Sequence, residues 1–231
     1  MKIKVVTWNI NRAAYTRRNL WNYMRTMDFD VGFFQEVYMI PAEIRRMYHT
    51  VRGEMNAVLL SRETFDGAIR NYITTDSGNE CVDDFYVSCT TEISGVELTL
   101  FSIYNYVGPG VADFAVFLDA LYKYIECCPN HVIIGGDFNM SENFTNLREW
   151  GILAAEMVER LAGLGFRDPL LERSDSFTFI TPDRKRRYRI DYLFIPEEFN
   201  VLGAGSPDED EILRAKPRLS DHLPVEVTVE I

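Results

Sequence analysis

Three short apolar runs in this chain break off into amides and acids, and no other feature constrains its fold as much. Residues 3–8 lead into Asn9 and Asn11, residues 31–34 into Gln35 and Glu36, and residues 132–134 into Asp137 and Asn139. β-Branched apolar runs of this length suit buried strands. Loops at strand ends are where a rigid scaffold presents its chemistry. Any one Asp or Asn in such a place is ordinarily a turn residue or a helix N-cap. The same change of character at three strand ends asks for another reading.

Helical and strand periodicities alternate around these runs. Residues 15–27 carry Leu20, Tyr23, Met24 and Met27 at helical spacing, and Pro41 opens a helix over residues 42–47. Segments 56–61, 67–74, 85–93 and 96–104 read as a β-meander, with Ser94-Gly95 as a hairpin turn. Residues 111–127 place Phe114, Phe117, Leu118, Leu121 and Ile125 three or four apart, which predicts an amphipathic helix ended by Pro129. A second long helix is expected over 146–164. Segment 176–181 is expected to pair with 189–195, and 224–231 is the last strand. No repeat, low-complexity stretch or Gly/Ser-rich linker interrupts the chain, so residues 1–231 read as one domain. Helices before, between and after mainly hairpin-connected strands suit an α+β arrangement of two packed sheets with helices outside.

The 24 Lys+Arg against 35 Asp+Glu leave a net charge of -11, which excludes a protein that coats nucleic acid by bulk positive charge. It leaves room for an enzyme that grips phosphate at one place. Cys81, Cys89, Cys127 and Cys128 show no C-x-x-C spacing and read as reduced thiols of a cytoplasmic protein. The first ten residues hold too short an apolar stretch for a signal peptide, and no run approaches the roughly 18 apolar residues of a membrane span. Neither secretion nor insertion is expected.

Asp191 lies in the middle of an apolar strand, residues 188–195, where an inward carboxylate must be paired or bound to offset its desolvation. Ser220-Asp221-His222 precedes the last strand, and His222 is one of three histidines. His49 and His131 read as structural residues. In order, the chain contains Thr7-Trp8-Asn9-Ile10-Asn11, Gln35-Glu36, Ile103-Tyr104-Asn105, Gly136-Asp137-Phe138-Asn139, Arg189-Ile190-Asp191-Tyr192 and Ser220-Asp221-His222-Leu223-Pro224. This set resembles the endonuclease/exonuclease/phosphatase superfamily from Asn9 to His222.

The resemblance implies a DNase-I-like four-layered α/β/β/α sandwich of two mainly antiparallel sheets packed face to face, and Mg²⁺- or Mn²⁺-dependent hydrolysis of a phosphate ester. A hard cation prefers oxygen ligands, which matches Glu36 with help from Asn11 or Asp221. By the same resemblance Asp137 handles the attacking water. Asn9 and Asn139 hydrogen-bond the phosphate or fix the carboxylates without repelling an anion. His222 binds or protonates phosphate with Asp191 behind it, and Tyr104 stands where relatives carry a phosphate-contacting side chain.

Departures from the family pattern bear on substrate. Tyr104 is followed by Asn105, Tyr106 and Val107, and Phe177 and Phe179 occupy the neighbourhood where abasic-site enzymes place a Trp, so abasic specificity is not expected. Only 25 residues separate Glu36 from Arg62, leaving little room for a recognition insertion. The run 184–189 holds five cations in six residues and could place Arg186 and Arg187 on the substrate phosphates. Arg12, Arg17 and Arg18 could line the opposite rim, while the acidic residues 208–211 read as an exposed loop. These features favour a nuclease acting on DNA or RNA, and a monomer is expected. The alternative is a phosphatase or phospholipase-type hydrolase of inositol phosphates, sphingomyelin or another phosphorylated small molecule or lipid head group.

Overall fold

The computed structural model describes residues 1–65, 85–106, 110–128, 131–171 and 176–231. The strand expected over 67–74 lies outside them, as do Cys81, Val107 and Pro129. In chain order the elements begin β1 (Lys2–Ala13), α1 (Arg18–Thr26), β2 (Val31–Val37), α2 (Ala42–Met47), β3 (Tyr48–Arg52), β4 (Asn56–Ser61), β5 (Tyr86–Ile93), β6 (Val96–Tyr104) and α3 (Val111–Cys127). They continue β7 (His131–Asp137), α4 (Arg148–Gly163), β8 (Phe166–Arg167), β9 (Phe179–Ile180), β10 (Arg187–Tyr188), β11 (Asp191–Pro196), β12 (Asn200–Gly205), α5 (Glu209–Ile212) and β13 (Val225–Glu230).

Two-residue alternation along the strands builds two sheets that are each buried on both faces. The first sheet has the order β12-β13-β1-β2-β4-β3 and the second β5-β6-β7-β11-β8. Among the described residues only the β1–β2 and β6–β7 pairs are parallel. Ile3, Val5, Val31 and Phe33 of one sheet meet Leu98, Leu100, Ile133, Leu193 and Ile195 of the other in a shared core. The opposite parity of the same strands faces helices. Val6, Trp8, Ile10 and Phe34 pack with Leu20, Trp21 and Met24 of α1 and Ile44 of α2. Phe101, Ile103, Ile134 and Phe194 pack with Phe114, Phe117 and Leu121 of α3 and Met157 of α4. The result is the expected helix, sheet, sheet, helix sandwich. Gly135 keeps its two sheets close, because a Cβ there would lie 2.4 Å from the Phe33 ring.

Several local expectations needed correction. The helix expected over 15–27 begins at Arg18, because Ala14 to Arg17 form a turn closed by the Arg17 amide on the Ala14 carbonyl (3.0 Å). Segment 189–195 does not pair with 176–181. Instead β9 takes β10, and β11 joins the second sheet beside β7, where Leu193 and Ile195 are buried. The acidic run at 208–211 is not a free loop. Asp208 caps α5 by accepting from the Asp210 amide (2.8 Å), and Ile212 is fully buried. The short strands β3, β8 and β12 were not anticipated. Ser94 (φ 51°) and Gly95 (φ 80°) do form the tight turn between β5 and β6.

Candidate active site

The parity that builds the core also aims the polar strand ends. Asn9 continues the inward register of Val5 and Thr7, Asp137 that of Ile133 and Gly135, and Asp191 that of Leu193 and Ile195. Their side chains therefore enter the space between the sheets at one end, where Asp191 and Tyr104 lie in register with Asp137 on either side. Just beneath them Gln35 donates to Ser102 Oγ (3.1 Å) and Thr7 Oγ1 (3.4 Å), a polar layer replacing the apolar core. At the strand exits Asn11, Arg12, Glu36 and Asn139 all have positive φ, between 48° and 54°. Such backbone costs about 1–3 kcal/mol per residue and persists where surrounding structure over-determines it.

Asn9 links the two sheets' carboxylates, donating from one Nδ2 to Asp137 Oδ2 (2.9 Å) and Glu36 Oε1 (3.2 Å). Tyr104 OH donates to the same Glu36 oxygen at 3.0 Å. Burial, with the charges of Glu36 and Asp137, pushes this phenol up, so Tyr104 stays a donor. Among the described residues, the second Glu36 oxygen faces Arg12 Nε, at 3.6 Å, from a side chain that is 76% exposed. Asn11 donates to Asp221 Oδ1 (2.7 Å). A partly open carboxylate together with a further carboxylate and an amide oxygen is a donor set that fits a hard divalent cation. Glu36, Asn11 and Asp221 can supply it.

Deeper lies a second group. Asp137, Asp191 and His222 bring one ligand atom each within 4.8 Å of one another, all buried. His222 Nδ1 meets Asp191 Oδ2 at 2.9 Å, and its Nε2 faces Asp137 Oδ2 at 3.9 Å. Burial opposes an imidazolium here, but Asp191 and Asp137 together outweigh it and push His222 up to about 10. Asp137 is pushed up to about 7, first by burial; His222 and the hydrogen bonds from Asn9 and the Asn139 amide counter this, while Asp191 adds to it. The cluster therefore holds two carboxylates against one cation. Asn139 steadies Asp137 with its backbone N–H (3.0 Å) and Nδ2 (3.1 Å).

Further residues hold the site in shape. Thr178 Oγ1 accepts from the Ile190 and Asp191 amides, both at 3.1 Å. Ser220 Oγ donates to the Asn9 carbonyl (2.7 Å) and accepts from the His222 amide (3.1 Å). Arg17, expected on the rim, instead ties the Ile10 and Asn11 carbonyls to that of Leu219. Asn105 turns to the Phe138 carbonyl (2.9 Å) and braces the loop carrying Asn139. A serine inside Ser-Asp-His was legible in the sequence; a threonine within a run of aromatics was not.

On the rim, Arg187 is engaged. Its guanidinium pairs with Glu209 (2.9 Å) and lies 4.3 Å from the Phe177 ring centroid. Arg186 is exposed and borders a cavity of about 300 Å³, beside Asn139, that Phe144, Phe179, Tyr188 and Ile190 also line. His49 bonds the Phe65 carbonyl (3.1 Å) and His131 pairs with Glu198 (2.9 Å), both away from the site.

Residues 6–222 match the Endonuclease/Exonuclease/phosphatase family. The chain belongs to it. Members of this family are metal-dependent phosphoester hydrolases. No curated protein sequence matches the chain. Among solved structures, the family fold recurs in D. rerio TDP2 complexed with single strand DNA product, at 16% identity and a TM-score of 0.69, covering 100% of this chain and 99% of that one. It recurs in the AP endonuclease LMAP from Leishmania major at 14% identity and TM-score 0.70, covering 100% and 88%. The 3′ phosphatase NExo from Neisseria, bound to product DNA hairpin, shares it at 18% identity and TM-score 0.70, covering 99% and 100%. Among the described residues no helix is long and apolar enough to cross a membrane.

Proposed function

We propose that this protein is a single-domain nuclease that hydrolyses DNA or RNA phosphodiesters with Mg²⁺ or Mn²⁺. The observation that carries the reading is where the positive charge of an acidic chain sits. Arg12 near the end of β1 and Arg18 at the start of α1 are exposed, and Arg184, Lys185 and Arg186 are exposed on the β9–β10 hairpin, with the polar strand ends between them. Cations spread along two rims suit a polyanion; a small phosphate ester would favour cations converging on one point. The solved structures of similar fold that contain DNA agree with this choice.

Glu36, with Asn11 and Asp221, would hold the cation, which supplies polarisation of the phosphate and stabilisation of the leaving oxygen. Asp137, raised to about 7, is suited to take a proton from the attacking water near neutral pH. Asn9 and Asn139 keep its carboxylate aimed, and the water oxygen bonds to phosphorus as the bond to the leaving oxygen breaks. His222, kept protonated by Asp191, donates from Nε2 toward the developing negative charge on phosphate. Tyr104 orients Glu36 through its hydroxyl. The cavity beside Asn139 would receive the group adjoining the scissile phosphate. The free thiols of Cys89, Cys127 and Cys128 support a cytoplasmic setting.

Hydrolysis of single- and double-stranded DNA, RNA, inositol phosphates and sphingomyelin with Mg²⁺, with Mn²⁺ and with EDTA tests this. Metal-dependent nucleic-acid cleavage that disappears in Asp137→Ala is expected. Cleavage confined to the non-nucleic substrates would transfer the function to the phosphatase branch.

A further inference from the structure

Among the described residues, three aromatic rings are more than a third exposed: Tyr15 at 57%, Tyr38 at 63% and Tyr106 at 37%. All three follow the exits of strands that supply the candidate site. Tyr15 comes four residues after Asn11, Tyr38 two after Glu36, and Tyr106 two after Tyr104. The Tyr38 and Met39 amides both donate to the Ala13 carbonyl (3.0 and 3.1 Å), holding the exit of β2 against that of β1. Arg52 secures the same turn by donating to the Val37 carbonyl at 2.8 Å. Tyr106 packs 6.4 Å from the Tyr104 ring, extending the aromatic border from inside the site.

Positive charge stands at the edge of these rings although the whole molecule is acidic. Arg12 lies 3.6 Å from the open Glu36 oxygen, and Arg52 donates to the Tyr38 carbonyl (3.2 Å), so two exposed arginines stand at these strand exits. Exposed rings beside arginines are what unpaired nucleic acid uses: a flat apolar face for each base and cations for the backbone. A duplex offers such rings little, because its base faces are already stacked on one another.

We propose that Tyr15 and Tyr38 form a stacking platform for unpaired bases flanking the scissile phosphate, making single-stranded nucleic acid, or a single-stranded end, the substrate. The inference rests on the nuclease reading above. It goes further by naming the strand form and the residues that select it. A protein surface could also dock on exposed rings, but Arg12 and Arg52 at the edge of a phosphate-cleaving centre favour a polyanion.

The test compares wild type with Tyr15→Ala, Tyr38→Ala and the double variant on three substrates: a single-stranded oligonucleotide, the duplex of the same sequence, and the p-nitrophenyl ester of thymidine 5′-phosphate. Each alanine is expected to raise KM for the single strand about tenfold. Values of kcat, duplex KM and ester hydrolysis should stay within about twofold of wild type. Tyr38→Trp should restore single-strand KM, and 2-aminopurine placed next to the cleaved bond should lose its fluorescence quenching in the alanine variants. Unchanged single-strand KM, or equal rises for single strand and duplex, would overturn the platform while leaving the nuclease reading intact and the rings to a protein partner. A wild-type enzyme that hydrolyses the ester but neither oligonucleotide would overturn both.

Discussion

Two buried acid–cation pairs hang from the same three residues, Arg189-Ile190-Asp191, and they are built for different ends. Arg189 meets Asp168 with side chains 7% and 0% exposed, and His222 meets Asp191 with side chains 6% and 0% exposed. Burial does not separate them. What separates them is the third partner. Asp168 also accepts from the Leu193 and Leu170 amides (3.1 and 2.9 Å), so its charge is answered from several sides. His222 faces a second carboxylate, Asp137, and the group keeps an excess of negative charge at the end of the sheets. Arginine holds its proton at any working pH, whereas an imidazole can release one. A buried ion pair marks chemistry here only where it is over-supplied with acid and able to titrate.

The comparison breaks first at activity. His222→Ala or Asp137→Ala should lower kcat by about a hundredfold to ten-thousandfold while the variants still fold. Near-normal turnover in both would sink the distinction. Asp168→Ala should do the reverse. Leaving Arg189 charged and buried without its acid costs about 3–5 kcal/mol of stability, seen as a lower urea midpoint, with turnover per folded molecule nearly kept.

Titration sharpens the contrast. Asp137 must be ionised to act as a base, so kcat/KM should rise with pH through about 7. In His222→Gln that limb should move to higher pH, because the imidazolium lowers Asp137. Stability should show the complementary trend. The raised His222 contributes stability that is complete below its unfolded value of 6.5 and lost as pH climbs through about 10. Asp137, also raised, favours the protonated folded form and adds to the loss as pH rises through about 7. The wild-type melting temperature should therefore fall between pH 6 and 10.

The smallest effects are expected on the rim. Arg186→Ser should raise KM for nucleic acid a few-fold and flatten its salt dependence. Arg187→Ser should alter salt dependence less, since Glu209 already neutralises that guanidinium, and should change stability by no more than about 1 kcal/mol, as for half-exposed pairs. Equal salt slopes for the two variants would argue that Glu209 releases Arg187 when substrate binds.

Much of the frame was legible because it follows from local periodicity. The alternation of Val5, Phe33, Ile133 and Leu193 with outward Trp8, Phe34, Ile134 and Phe194 is a property of the string, and so is the change to amides and acids where each run stops. Family resemblance pointed to Glu36, Asp137, Asp191 and His222 before any coordinates. Partners distant in sequence were harder to read. Nothing local says that segment 189–195 leaves its neighbour for β7, that Arg17 turns inward to three carbonyls, or that the acids at 208–211 fold back to hold Arg187.

Sequence by itself determined which side chains lie between the sheets, since side chains two apart on a strand must share a face. It also determined that several strands end in polar groups, and that the chain carries a net charge of -11. Only the tertiary structure decided which ends meet. It set Asp137 beside Asp191 and His222 from residues up to 85 positions away, shared Asn9 between Glu36 and Asp137, and left Tyr15 and Tyr38 uncovered. Charge, burial and proton affinity depend on distance in space, and that distance exists only once the two sheets have packed.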